Sequence, residues 1–147
     1  MDEKEIIRHF LATIYYRGMK YLSVNDLKFN SFTPKNDIRT PAQILNHING
    51  LLQYIRSFFV DVSNTYSEEL DFIAEVDRFK SFIKELDSDI LSKNIDSKMT
   101  YHQILQGPLS DIMLHIGELS MQRKFSESNI NDIENYINAD IKPGTFI

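Results

Sequence analysis

Residues 72–90, FIAEVDRFKSFIKELDSDI, decide the fold class. Phe72, Val76, Phe79, Ile83, Leu86 and Ile90 recur at alternating steps of four and three, the spacing of one apolar face of an α-helix. A half-buried strand would alternate every second residue, and no stretch of the chain does. The helix is expected to begin near Ser67, or at Glu75 if the acidic segment before it is a loop.

The same period extends in both directions. Upstream, TPAQ at residues 40–43 carries a complete start signal: Thr40 as N-cap, Pro41 at the first helical position and Gln43 to close a capping box. Ile44, Ile48, Leu51, Ile55 and Phe58 follow as an apolar stripe, with an end expected between Val60 and Ser63. A first helix is expected over about residues 2–22, burying Ile6, Ile7, Phe10, Ile14 and Met19 or Leu22. Between these two lies SVNDLKFNSFTPKNDIR, residues 23–39, a loop rich in Asn, Asp and Ser. Downstream, a short helical turn is expected before Gly107-Pro108, with Pro108 opening a last long helix to about Phe125. One helical turn and an extended tail should complete the chain. Four amphipathic helices with a long first connection describe an all-α, four-helix bundle in one domain, residues 1–147.

Composition narrows the function. The chain has 147 residues, a net charge of −5 and no cysteine. It has no basic stripe to neutralise a phosphate backbone, so nucleic acid is not an expected partner. No apolar run approaches the ~20 residues that cross a bilayer, so no membrane is expected either. The opening MDEKEIIRHF lacks the pattern of an export signal, and a cytoplasmic protein is expected. Without cysteine there are no disulfides and no thiol nucleophile of the chain's own.

One polar pair interrupts the apolar pattern. In SDIMLHIGE, residues 110–118, Asp111 and His115 are four apart and share a helix face. Leu114, Met121 and Phe125 lie to one side and Ile112, Ile116 and Leu119 to the other, which reads as a polar pair on a buried surface. Taken singly, Asp111 suits the positive end of the helix dipole, and His115 suits a satisfied core histidine. Taken together, donors at i and i+4 can converge on one cation, provided that another helix supplies a third. Of the histidines at 9, 47, 102 and 115, His47 is the natural third, because it borders the stripe between Ile44 and Leu51. His9 is a weaker candidate, and His102 reads as a surface or capping residue. Glu118, three residues after His115, suits an outer partner of that histidine, a general base or a solvated rim residue. Tyr15, Tyr16 and Tyr54 are available as proton donors but suit packing better.

The stretch QGPLSDIMLHIGELSMQRKF, residues 106–125, resembles the last core helix of the DinB/YfiT-like proteins. These are helix bundles that hold a divalent metal through one histidine of the second helix and a HxxxH pair of the fourth. The likeness is to a branch with Asp first in that pair, followed by H-x-G-Q-L and two basic residues. TPAQILNHINGLL, IAEVDRFKSFIKELD, NYINADIKPG and, loosely, IYYRGMKYL are similar to other segments of the family. The resemblance implies His47, Asp111 and His115 as ligands of a divalent ion such as Zn, Ni, Mn or Fe. It differs in Asp111 for His and Glu118 for Gln. The implied activity is metal-dependent, a thiol S-transferase or hydrolase acting on a small molecule, with a low-molecular-weight thiol as cosubstrate and a homodimer as the assembly. The competing expectation is a non-catalytic dimeric helical binding or stress-response protein with a vestigial site.

Overall fold

The computed structural model describes residues 1–23, 26–62, 68–128 and 136–146, and among them every regular element is helical. Helix α1 spans Glu3–Leu22, and its N-cap Asp2 and Glu5 form a reciprocal capping box. A four-residue helix α2, Leu27–Asn30, lies inside the expected first loop, capped by Asp26. Helix α3, Pro41–Arg56, begins as its sequence signal demands, with the Thr40 hydroxyl on the Gln43 amide and the Gln43 side chain on the Thr40 amide. Turns carry the chain on to Val60.

Helix α4, Phe72–Ser92, starts between the two expected positions because Asp71 caps it, accepting from the Ala74 amide at 2.9 Å. All six residues of its apolar face are buried. The Ser67 alternative lies outside the described residues, and so does part of the stretch after Phe125 in which one helical turn is expected.

The Gly107-Pro108 pair does not break the last helix. Helix α5, Tyr101–Ile104, passes into a π-helical turn, Leu105–Leu109, and then into α6, Ser110–Phe125. A wide turn suits a proline because its missing N–H disrupts a narrower ladder. The Ser110 hydroxyl donates to the Leu105 carbonyl at 2.6 Å, beside the Ser110 amide that bonds the same oxygen, and so ties the end of the wide turn to its start. The wide turn also keeps Ile104 and Leu109, five residues apart, in the core, where both are fully buried. In a regular α-helix they would point about 140° apart.

Helix α3 packs against α4 and α6, and α1 packs against the same two. Leu11 and Ile14, Ile48 and Leu52, Ile83 and Leu86, and Ile112 and Leu119 meet in one apolar core. Ile6 was expected inside but is exposed, and Leu11 takes its place. No helix among the described residues is long and apolar enough to cross a membrane.

Two polar devices tie the outer elements down. Arg123 lies fully inside, with its guanidinium over the Phe29 ring at 4.0 Å and bonds to the Tyr21 carbonyl and Ser128 hydroxyl, which fastens α2 to α6. Arg8 and Asp87 form a two-pronged ion pair at 2.9 and 3.0 Å between α1 and α4. The C-terminal segment closes over this pair. Gly144 has φ +80°, a left-handed conformation that favours glycine, and it lies against the Arg8 guanidinium, 2.8 Å from where a Cβ would stand. Phe146 then sets its ring edgewise on Tyr15 at 5.4 Å.

Candidate metal centre

His47 sits in the second turn of α3, and Asp111 and His115 lie one turn apart near the start of α6. Packing of α3 on α6 brings the three side chains together, with one donor atom of each within 4.8 Å of the others. The Asp111 Oδ2 oxygen is 3.7 Å from His47 Nε2 and 3.3 Å from His115 Nε2. The two imidazoles stand edge to face at 4.6 Å. Donors about 2.1 Å from a shared tetrahedral ion are roughly 3.4 Å apart, so the two measured pairs suit a first-row divalent cation. Two imidazole nitrogens and a carboxylate oxygen also form a donor set of matching chemistry.

The outer partners favour the same use. Glu118 Oε1 lies 2.7 Å from His115 Nδ1. A carboxylate there accepts the Nδ1 proton and leaves the Nε2 lone pair directed at Asp111, the arrangement that usually orients a metal-binding histidine. Burial, followed by the nearby charge of Arg39, holds the His47 imidazole below its ordinary range, against the opposing pull of Asp111. A neutral ring offers a lone pair, and an imidazolium does not.

The position of the site corrects one expectation. Asp111 and His115 stand at the edge of the buried surface and not in its middle: the Asp111 side chain is 44% exposed and that of His115 12%, and Leu114, Met121 and Phe125 on one side of the pair all face solvent. On the other side Ile112, Ile116 and Leu119 are buried, and Gln122 and Arg123 continue the inward face of α6. The polar pair therefore marks the rim between α3 and α6.

The remaining candidates lie elsewhere. His102 is exposed on α5, and His9 is on α1, its carbonyl accepting from Thr13. Tyr15 is buried against Phe79 and Phe146, while Tyr16 and Tyr54 face solvent. The C-terminal segment packs on α1 and α4, across the core from the α3–α6 rim.

A network around one buried carboxylate, bonded to the asparagines on either side of His47, was not anticipated. Glu75 of α4 is fully buried. Its oxygens accept from Asn46 Nδ2 at 2.9 Å, Asn49 Nδ2 at 3.1 Å and the Leu70 amide at 3.1 Å, with Arg78 3.5 Å away. Asn46 and Asn49 bracket His47 on α3, so this network fixes the rotation of the helix that presents it. The spacing of the two asparagines was legible, but their carboxylate partner on another helix was not.

No protein-family model, no curated protein and no solved structure matches the chain.

Proposed function

We propose that the protein is a cytoplasmic, metal-dependent enzyme of the DinB/YfiT-like kind, a four-helix bundle holding one divalent cation on His47, Asp111 and His115. The observation that carries this reading is the convergence of three donors from two helices within 4.8 Å, with Glu118 bonded to the far nitrogen of His115. An ion with three protein donors keeps a coordination position open, and it supplies Lewis acidity there for a water or a thiol. His47 contributes a neutral ring and Asp111 the compensating charge. Glu118 acts as a positioning residue, because its carboxylate is engaged by the His115 ring. Since the chain has no cysteine, a thiol would enter with a cosubstrate. The reaction is accordingly a thiol S-transfer or a hydrolysis on a small molecule.

Metal analysis of the purified protein tests the reading directly. Wild type is expected to retain about one zinc per chain after incubation with the ion and desalting, and His115→Ala close to none. Equal, negligible metal in both would overturn it.

A further inference from the structure

Two cavities flank the metal centre. The polar one, about 560 Å³, is lined by His47, Asn46 and Arg39 together with the acidic Asp37 and Glu69. The other, about 590 Å³, is lined by Phe32, Pro34, Ile38, Met121 and Phe125, with Glu118 at its edge. Both share Asn36 and Ile38, so they adjoin along one stretch of the loop that leads into α3. That stretch is anchored, because Gln122 of α6 donates to the Arg39 carbonyl and Asn36 makes the left-handed turn at φ +64°.

The apolar cavity leaves Met121, Phe125 and Ile38 open to solvent, and exposed large apolar side chains gathered in one hollow mark a binding site. Its volume falls within the range of small-molecule pockets. Its lining residue Glu118 bonds His115, which links the cavity to the candidate metal centre through one side chain. Lys35 and Arg39 are balanced in these linings by Glu118, Asp37 and Glu69, so the positive charge that selects an anionic head is that of the cation.

We propose that the apolar cavity holds the body of the substrate, and that the substrate is a small amphipathic anion whose carboxylate or thiolate head reaches the metal centre while its hydrocarbon or aromatic part packs on Met121 and Phe125. This rests on the metal reading and adds to it the substrate's chemical class. A hydrophilic substrate would leave those side chains in water, and a neutral apolar one would not use the cation.

Calorimetry on the zinc-loaded protein tests it in two stages. Zinc alone is titrated first. Butanoate, hexanoate and octanoate then form one ligand series, and ethanethiol and hexanethiol a second that tells a carboxylate head from a thiolate. Affinity is expected to rise by roughly tenfold for each added pair of methylenes. Met121→Ser and Phe125→Ser should lose most of that increment yet keep the affinity for zinc and for the shortest ligand. Because both side chains are exposed, the variants should melt like wild type. Normal zinc binding with an affinity flat along both series, or serine variants that keep the increment, would overturn the substrate class and leave the metal reading standing. Failure of zinc to bind in the first titration would overturn both. A dimer that Phe125→Ser dissociates and octanoate does not would show that a second copy of the chain occupies the cavity, which also overturns the inference.

Discussion

At the scale of single residues, the site is divided between donors and the groups that aim them. Glu118 bonds the ring nitrogen of His115 remote from Asp111, so Glu118→Gln should keep the metal but bind it more weakly. Loss of an outer partner of this kind typically costs about 10–100-fold in affinity, readable by zinc titration against a competing chelator. Unchanged affinity would assign Glu118 to the solvated rim. His47 makes a separate prediction in the metal-free protein. Its folded pKa lies below the ordinary value near 6.5, so the unfolded chain takes up the proton first as pH falls. Its contribution to stability is complete above about pH 6.5 and is lost as pH drops towards the folded value. Metal-free wild type should therefore lose more melting temperature between pH 7.5 and 5.5 than metal-free His47→Gln. The closeness of His47, Asp111 and His115 was legible in the sequence because i, i+4 spacing and the edge of an apolar stripe are local patterns. The exposure of Asp111 was not, because Leu114, Met121 and Phe125 are as apolar as core residues and only the packing partners show which side of α6 faces water.

At the scale of elements, the last helix gives the clearest case of tertiary packing overriding local signals. Gly-Pro reads as a stop, yet the chain continues through a π-helical turn because that route buries both Ile104 and Leu109. The Ser110 hydroxyl supports the turn by bonding the Leu105 carbonyl. Ser110→Ala should lower stability by about 1 kcal/mol, the usual worth of one such bond, and the melting temperature by roughly 3–4 °C. No change in thermal unfolding would mean that water replaces the hydroxyl fully. The start of α3 was readable from TPAQ because its capping partners are three residues apart. Helix α2 was not, since four residues carry too little periodicity, and the burial of Phe29 depends on Arg123 and on Phe72, 5.2 Å away edge to face. The same limit hid Glu75, whose amide partners lie 26 and 29 residues away along the chain.

At the scale of the whole molecule, the α1–α4 side holds the structural clasp and the α3–α6 side the three residues of the candidate metal centre. Asp87 is only 7% exposed at its side chain, so Arg8→Ala should strand a buried charge at a cost of about 3–5 kcal/mol in urea unfolding. The double variant Arg8→Leu with Asp87→Leu should recover most of that loss, and zinc affinity should be unaffected in either. Coupling between the clasp and zinc affinity would show that the two faces do not act independently. A long-range pair such as this carried no signal in the sequence, because its members lie 79 residues apart. The rim position of His47, Asp111 and His115 has a consequence for how the ion would come and go. Since these groups stand at the seam between two helices, a chelator could reach the cation with the hydrophobic interior intact. Occupancy would then follow the free metal concentration around the protein within the lifetime of one folded molecule, as in an exchangeable cofactor.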